Sequence, residues 1–437
     1  MPRLPPSLLR QAYTLNPLLP LLLRECRDIQ SARNELRWLR EYAVAQCQRR
    51  RNGNGIGSES GERDDNENVR LRLKRLVRQR AKGVPLQYIL GDQPFGPLEI
   101  LCRRGVLIPR PETESYTTRT ANLILSKLTP RRHTHPHPPS AAAAPPPPAL
   151  HILDLCTGTG CIPLLLHSLL APTFPRLSVV GVDISGLALN LAWENLSHNI
   201  KLGALEPRAS GEVRFMSGNV LAEDGLKGVL DDDYSAGASN SNIMRENTPL
   251  SSGSNVSSEA SSSVSVHQTL EQNQNPPTTP VKILLSNPPY ISPRQFTNGT
   301  TSRSVRLYEP KLALVPPPPS PSLLTEPSKN GDAVGAHPPA TTLQKDMFYP
   351  RILYLAREWL NPDLVVLECG DPRQAGRVAE MARHVFMTEN EAVEVEVWRC
   401  DHDGSCTAGS LWGGDEDGDG DRGARAVVVR RGVFLDR

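Results

Sequence analysis

The stretch HILDLCTGTGCI, residues 151–162, decides the fold of this 437-residue chain. Its first five residues form a largely apolar run typical of a buried strand, and the glycines at 158 and 160 then allow the backbone to turn close to a ligand. An apolar run at residues 164–170 predicts a helix, whose free N–H groups at its start attract polar ligand groups. We therefore expect a nucleotide-like cofactor over five loop residues: Cys156, Thr157, Gly158, Thr159 and Gly160.

This loop differs from the loops that bind phosphate. It lacks the Gly-Lys-Ser/Thr of a P-loop, and Pro163 stands where a dinucleotide fingerprint has its third glycine. A second apolar run, residues 178–183, ends in Asp183. In a doubly wound sheet an acid at this place grips ribose hydroxyls, whereas its alternative role is to cap the following helix. We expect Asp183 to hold the sugar of an adenosine cofactor that carries a carboxylate instead of phosphates.

The tetrapeptide Asn287-Pro288-Pro289-Tyr290 follows a third apolar run, residues 281–285. Its prolines fix φ and lack N–H groups, so the segment is stiff and its carbonyls are free acceptors. If Asn287 Oδ1 and the Pro288 carbonyl each accept one N–H of a planar amino group, the nitrogen is oriented and its developing positive charge is stabilised. Tyr290 would stack on the same group. Taken alone, the tetrapeptide also fits an ordinary proline-rich turn.

Together these segments resemble the class I S-adenosylmethionine methyltransferases, with a cofactor loop after the first strand, an acid after the second and Asn-Pro-Pro-Tyr after the fourth. Residues 83–91 (GVPLQYILG), 107–114 (LIPRPETE) and 308–314 (YEPKLAL) resemble the release-factor glutamine methyltransferase family, in its fungal mitochondrial type. The resemblance implies an α/β fold: a Rossmann-like, mostly parallel, seven-stranded sheet behind a small N-terminal helical domain. It also implies S-adenosylmethionine as the cofactor.

The substrate that the resemblance implies is the glutamine of the Gly-Gly-Gln motif of a peptide chain release factor, methylated on its side-chain amide nitrogen. Asn287 and Pro288 would orient that amide, and Glu309 with Arg110 would support either the loop or the entry of the peptide. Asn219 stands near the adenine, where many methyltransferases have Asp. Two further residues depart from the family pattern. Some members have an aromatic residue where this chain has Val220, and Cys156 replaces the first glycine of the cofactor loop.

Two other functions remain open at this stage. A nucleic-acid methyltransferase acting on adenine or guanine is one, because an exocyclic amino group offers the same flat geometry to Asn-Pro-Pro-Tyr. A cofactor-binding scaffold without catalysis is the other. The formal net charge of +2 argues against a protein that works chiefly by wrapping nucleic acid, and the intact tetrapeptide argues against the scaffold.

Composition sets further limits. The eight cysteines form no CxxC pair, so we expect reduced thiols, and no apolar run reaches the roughly 20 residues that span a bilayer, so we expect a soluble protein. We expect a monomer without a metal. Two metal-like patterns are interpreted as compositional: residues 415–420 (DEDGDG) have Ala426 where a calcium loop needs Glu, and His133, His135 and His137 alternate in a proline-rich tract.

The domain organisation follows from composition shifts. Residues 1–27 carry four arginines, and their first acid is Glu25, which is typical of a mitochondrial transit segment or of a first domain helix; Pro5, Pro6, Pro17 and Pro20 weigh against an amphipathic targeting helix. We favour the mitochondrion, with the cytoplasm as the alternative. Residues 28–98 form the expected helical domain and residues 99–437 the methyltransferase domain. Four low-complexity insertions are expected at residues 131–148, 231–280, 315–342 and 403–423.

Periodicity predicts the remaining elements. Helices are expected at residues 28–48, 69–82, 120–128, 161–170, 186–199, 346–360 and 373–387, and further strands at 363–368, 393–397 and 426–429. The helix at 69–82 is expected to present a basic outward face that either contacts an RNA-associated substrate or is simply solvated, and weak or indirect contact with RNA or the ribosome stays open. That face comprises Arg70, Arg72, Lys74, Arg75, Arg78 and Arg80.

Overall fold

An eight-stranded mixed sheet forms the centre of the catalytic domain in the computed structural model, and a bundle of four helices precedes it. The structure describes residues 3–53, 62–129, 146–229, 279–318, 343–387, 391–400, 406–409 and 424–436. Within these ranges, no helix is long and apolar enough to cross a bilayer.

The bounds of the elements follow. The helices are α1 (Pro6–Leu15), α2 (Leu19–Cys26), α3 (Ile29–Gly53), α4 (Glu62–Ala81), α5 (Leu86–Leu90), α6 (Pro111–Leu128), α7 (Cys161–Leu170), α8 (Gly186–Lys201), α9 (Ala209–Glu212), α10 (Pro293–Thr297), α11 (Arg303–Tyr308), α12 (Phe348–Leu355) and α13 (Pro372–Phe386). The strands are β1 (Asp92–Phe95), β2 (Leu98–Leu101), β3 (Leu150–Leu155), β4 (Leu177–Asp183), β5 (Val213–Ser217), β6 (Val281–Ser286), β7 (Leu364–Glu368), β8 (Val393–Cys400), β9 (Cys406–Gly409) and β10 (Ala424–Arg431).

The strand order of the large sheet is β5-β4-β3-β6-β7-β10-β8-β9. The five strands from β5 to β7 are mutually parallel, whereas β10 pairs antiparallel with both β7 and β8. The order changes direction at β3, which lies between β4 and β6, and such a switch point opens a crevice at the carboxyl ends of the strands. The predicted seven-stranded, mostly parallel sheet is confirmed in its first seven strands.

The eighth strand corrects one expectation. Residues 406–409 lie in the predicted insertion 403–423, yet they form β9 and pair with β8 at the edge of the sheet. The alternating run at 393–397 had signalled β8, but the short partner, CTAG, carries no periodic signal. Most of the other predicted insertions and both metal-like patterns lie outside the described residues. They fall in the ranges 130–145, 230–278, 319–342, 401–405 and 410–423.

Two apolar layers enclose the sheet. Helices α6, α7 and α8 cover one face, where Tyr116, Leu165 and Leu196 are buried against β3 and β4. Helices α12 and α13 cover the other face, with Ile352 and Val378 in its core. Helix α6 begins at residue 111, nine residues before its predicted start, because proline is favoured at the first helical position and acids are favoured in the first turn.

The N-terminal bundle includes the segment that resembled a transit peptide. Helices α1 and α2 place Ala12, Leu19, Leu22 and Leu23 in one core with residues of α3 and α4. A proline stands in the first turn of each of these two helices, where its missing N–H costs nothing. The predicted helices at 28–48 and 69–82 are confirmed as α3 and α4, each of which is longer than expected.

Arg80 corrects the expected basic face of α4. Its guanidinium turns inward and donates hydrogen bonds of 2.8 and 2.9 Å to the two carboxylate oxygens of Glu35. Only 11% of the Arg80 side chain is exposed, so this arginine holds α3 to α4 and is not part of an outward face.

Leu22 tests whether α2 belongs to the folded bundle. Leu22→Ala removes a side chain with 0% exposure, and we expect it to lower the free energy of unfolding by about 2–5 kcal/mol. Leu21→Ala is the matched control, because Leu21 is 37% exposed on the same helix and should cost less than about 1 kcal/mol. Urea unfolding of both variants measures this; equal costs would contradict the packing of α2.

Candidate active site

A cavity of about 740 Å³ opens at the carboxyl ends of β3, β4, β5 and β6. Six of the predicted site residues line it: Cys156, Gly158, Asp183, Asn219, Asn287 and Pro289. The other five lie beside or beneath its wall: Thr157, Thr159, Gly160, Pro288 and Tyr290.

The two glycines of the loop after β3, Gly158 and Gly160, have different structural roles. Gly158 has φ of +57°, and a Cβ placed on it meets no atom within 4 Å, because the position faces the cavity. Gly160 has φ of +77°, and a Cβ there would lie 2.7 Å from the Phe215 ring and 3.0 Å from Ala192. Gly158 therefore leaves its backbone open to the cavity, and its contact with a ligand stays a prediction. Gly160 is required for packing between α7, α8 and β5.

Asp183 lies at the end of β4 and binds the backbone of the loop that follows β3. Its Oδ2 accepts a hydrogen bond of 2.9 Å from the Gly158 N–H, and its Oδ1 accepts one of 2.8 Å from the Ser185 N–H. Burial raises the pKa of the carboxyl group, and these backbone donors oppose that effect. The cap of α8 is Ser185, whose hydroxyl accepts from the Ala188 N–H. The capping alternative for Asp183 is thereby removed.

The Asn219 loop closes the adjacent side of the cavity. Asn219 Oδ1 accepts from the Leu221 N–H at 3.1 Å. From α12, the buried Arg351 donates to the carbonyls of Val220, Ala222 and Glu223 at 3.4, 3.1 and 2.8 Å. This guanidinium fixes the loop through backbone acceptors, and sequence reasoning missed it because nothing in the sequence pairs residue 351 with residues 220–223.

These residues fit S-adenosylmethionine. The cavity has the size typical of small-molecule sites and is lined mainly by apolar side chains, among them Ile184, Val220 and Phe348. Its lining also includes the Asp183 carboxylate at the end of β4 and the Asn219 amide after the neighbouring strand β5. When bound there, the cofactor supplies an electrophilic methyl group on a sulfonium. Gly158, Asp183 and Asn219 would hold it.

Asn287 is held by a hydrogen-bonded pair of side chains from two other elements. Its Nδ2 donates to Thr113 Oγ1 at 3.2 Å, and that hydroxyl donates to Glu368 Oε2 at 2.7 Å. The Tyr290 hydroxyl donates to Glu368 Oε1 at 3.0 Å. A Cβ on Gly370 would lie 2.7 Å from the Tyr290 ring, so the ring packs on bare backbone.

Sequence reasoning missed the roles of Thr113 and Glu368. Thr113 stands in LIPRPETE, one of the motifs that carried the resemblance, and Glu368 ends the strand predicted at 363–368, but no spacing rule predicts that they meet. Tyr290 was expected to stack on the substrate. That remains a prediction, since the structure shows its ring on Gly370 and its hydroxyl on Glu368.

Glu309, which follows α11, connects this segment to the segment before α6. Its carboxylate accepts from Arg110 Nη2 at 2.8 Å on both oxygens, and from the Ile108 N–H at 3.2 Å. The neighbouring helix α11 contacts the N-terminal bundle: the Ser304 hydroxyl donates to the Gly83 carbonyl at 2.7 Å, and Arg303 Nη1 to the Lys82 carbonyl at 2.9 Å. The helical domain therefore supports the wall of the cavity.

The strand order, the switch-point cavity and the residues around it define a class I S-adenosylmethionine-dependent methyltransferase. No protein-family model matches the chain. It is 32% identical to the mitochondrial MRF1 N(5)-glutamine methyltransferase MTQ1 of Saccharomyces cerevisiae, over 72% of this chain and 68% of the yeast protein. It is 30% identical to the probable MRF1 mitochondrial N(5)-glutamine methyltransferase of Schizosaccharomyces pombe, over 72% of each. The chain belongs to the release-factor glutamine methyltransferase family, which confirms the resemblance.

A bacterial relative and a solved structure are also similar to the chain. The release factor glutamine methyltransferase of Haemophilus influenzae is 38% identical over 30% of this chain and 40% of its own length. Among solved structures, the N-terminal domain of human METTL16 in complex with SAH covers 83% of this chain and 84% of its own, with 13% identity and a TM-score of 0.36. That similarity is low, and the fold is established here by strand order and register.

Glu309→Gln tests the contact at the cavity mouth. The variant leaves Arg110 without its carboxylate, and only 2% of the Glu309 side chain is exposed, so we expect a loss of about 2–4 kcal/mol in the free energy of unfolding. We also expect a higher KM for the glutamine substrate. Glu194→Gln is the control, because its carboxylate pairs with Arg103 at 2.6 Å with both side chains about half exposed, and its loss should cost less than about 1 kcal/mol. Equal losses in the two variants would count against the role of Glu309.

Proposed function

We propose that this chain methylates the side-chain amide nitrogen of the glutamine in the Gly-Gly-Gln motif of a mitochondrial peptide chain release factor. We further propose that it acts as a monomer. The single observation that carries the substrate class is the orientation of the Asn287 amide.

The Asn287 side chain offers an acceptor to the cavity. Its Nδ2 donates one N–H to Thr113, which turns that end of the amide toward α6, and we place the substrate at the Oδ1 end. Pro288 adds a backbone carbonyl with no N–H of its own beside it. Two acceptors on a stiff segment suit a planar –NH₂ group, which has two hydrogens to donate. A primary amide of glutamine is such a group.

Methyl transfer to the amide nitrogen requires the protein mainly to orient the two reacting groups. An N–C bond forms while the C–S bond breaks, and the sulfur keeps the electron pair of that bond. Asn287 Oδ1 and the Pro288 carbonyl accept the two N–H groups, so positive charge that develops on nitrogen is stabilised in place. The alkylated amide nitrogen is strongly acidic and loses its proton to solvent, so no side chain is needed as a general base.

The substrate side of the cavity has a wall suited to a small, flexible peptide segment. Gly105, Val106 and Leu107 line one side, and Pro310 and Leu312 line the other. The Tyr88 hydroxyl donates to the Val106 carbonyl at 2.6 Å, which fixes the first of these two edges.

Weak contact with RNA or the ribosome is a second part of the proposal. It is supported by the charge distribution, which the overall value of +2 conceals. The first 98 residues carry 18 Lys and Arg but only 10 Asp and Glu, so the acids outnumber the bases in the remainder of the chain. Exposed arginines of α3 and α4 surround a groove in the helical domain: Arg33, Arg37, Arg40 and Arg70. Such surfaces attract phosphate backbones.

The mitochondrial location is supported by the names of the two yeast relatives and by the arginine-rich residues 1–27. Because α2 packs in the core of the bundle, we propose that the mature protein keeps it. Mass spectrometry of the amino terminus of the protein from isolated mitochondria checks this, with peptides from residues 19–26 expected. A mature chain that starts after Arg27 would contradict it.

Asn287→Ala tests the orientation of the substrate. We expect turnover to fall by about a hundredfold or more, because an acceptor for the reacting amide is lost. The affinity for S-adenosylhomocysteine should stay within a few fold. Asn298→Ala, in an exposed loop of the same connection, should keep wild-type turnover. Unchanged turnover in the Asn287 variant would remove the assigned role.

The substrate class is decided by incubating the enzyme and labelled cofactor with release factor, with its Gln→Ala variant, and with RNA. We expect label in the first sample alone. Label confined to RNA would favour the nucleic-acid alternative, whereas cofactor binding without turnover on every release factor would favour a scaffold.

A further inference from the structure

Glu368 is a buried carboxyl group that the proposed chemistry does not use directly. It ends β7 with 1% exposure, and it accepts hydrogen bonds from two hydroxyls, Thr113 on one oxygen and Tyr290 on the other. Each hydroxyl is linked to the catalytic tetrapeptide, the first through Asn287 Nδ2 and the second because Tyr290 is its last residue. One carboxyl group therefore reaches both ends of Asn-Pro-Pro-Tyr.

The charge on this carboxyl group fixes the direction of the hydrogen bonds. An ionised carboxylate only accepts, so the Thr113 hydroxyl must give its single proton to Glu368. The Thr113 oxygen can then only accept from Asn287, which requires the Nδ2 end of the amide to point at it. The Oδ1 end is left for the cavity.

A neutral carboxyl group does not impose this direction. It carries a proton of its own and can donate to Thr113, which frees the threonine hydroxyl to donate to Asn287 instead. Asn287 would then satisfy Thr113 with Oδ1 and present Nδ2 to the cavity. Two donors would face each other there, because the substrate amide also donates.

The surroundings of Glu368 bring the pKa of its carboxyl group close to neutral pH. Burial raises the pKa of its carboxyl group to about 7, and the hydroxyls of Thr113, Tyr290 and Tyr116 oppose that effect. Charged and titratable groups face it from each neighbouring element: Glu112 and Tyr116 of α6, Arg110 before that helix, Cys161 of α7, Tyr290 after β6 and Cys369 after β7.

We propose that Glu368 is a positioning residue, whose ionised carboxylate acts through Thr113 to hold the Asn287 amide with Oδ1 toward the substrate glutamine. This inference rests on the proposed function. Because the ionised fraction grows as pH rises through about 7, kcat for glutamine methylation rises over the same interval. Cofactor binding does not follow it, because Glu368 is not among the residues that line the cavity.

Glu368→Gln is the first test, measured as kcat against pH from 6 to 9 on a Gly-Gly-Gln peptide. Glutamine keeps the shape but has no charge to titrate, so we expect the rise near pH 7 to vanish and kcat at pH 8.5 to fall about tenfold. The dissociation constant of S-adenosylhomocysteine, measured by calorimetry, should stay within threefold. Glu380→Gln, on the exposed side of α13, should keep the wild-type profile.

Thr113→Val and Thr113→Ser form the second test, which holds even if the glutamine variant fails to fold. Valine has the shape of threonine without the hydroxyl, so we expect about a tenfold or greater loss of kcat and no rise near pH 7. Serine keeps the hydroxyl and should restore both within a few fold. A role in packing alone predicts the reverse order, because serine leaves the larger gap.

The outcomes separate the two proposals. Absence of glutamine methylation by the wild-type enzyme overturns the proposed function. Glutamine methylation by the wild type, together with a Glu368→Gln profile that keeps its rise and its kcat, overturns the role of Glu368 alone. Wild-type kcat in Thr113→Val does the same.

Discussion

The site depends on the place of β3 in the sheet. Because β3 lies between β4 and β6 and all three run parallel, their carboxyl ends meet at one edge. The register aligns Leu155 with both Val182 and Ser286, so the three segments that follow begin at the same height. Gly158, Asp183 and Asn287 therefore surround one cavity although they are far apart in sequence. A sheet in which β3 did not lie between β4 and β6 would separate the proposed cofactor residues from Asn-Pro-Pro-Tyr.

Within that frame, the proposed chemistry relies on the direction of the Asn287 side-chain amide. The two prolines stiffen the backbone around Asn287, but they do not decide which end of its side chain faces the substrate. In our proposal, hydrogen bonds from Asn287 to Thr113 of α6, and from Thr113 to Glu368 of β7, fix this orientation. A buried carboxyl group is costly unless its oxygens are satisfied, and here the hydroxyls that satisfy it also organise the site.

The sequence predicted the parts of the structure that local pattern determines. Apolar runs located β3, β4, β6 and β7, and glycine and acid at fixed places located Gly158 and Asp183 at the cavity. It also attributed the need for Gly160 to a ligand, whereas the structure attributes it to Phe215, because the neighbours of a turn are set by tertiary packing. Arg351, Thr113 and Glu368 were missed for the same reason: each acts on residues distant in sequence. Strand β9 was missed because its local signal resembles a loop, and for residues 1–27 the sequence left a targeting segment and a domain helix both open.

The account is tested most directly by a crystal structure with S-adenosylhomocysteine and a Gly-Gly-Gln peptide bound. It predicts the glutamine amide nitrogen within hydrogen-bond distance of both Asn287 Oδ1 and the Pro288 carbonyl, facing the sulfur, with Asn287 Nδ2 still on Thr113. A glutamine held elsewhere in the cavity, or an Asn287 amide turned with Nδ2 toward the substrate, would contradict it.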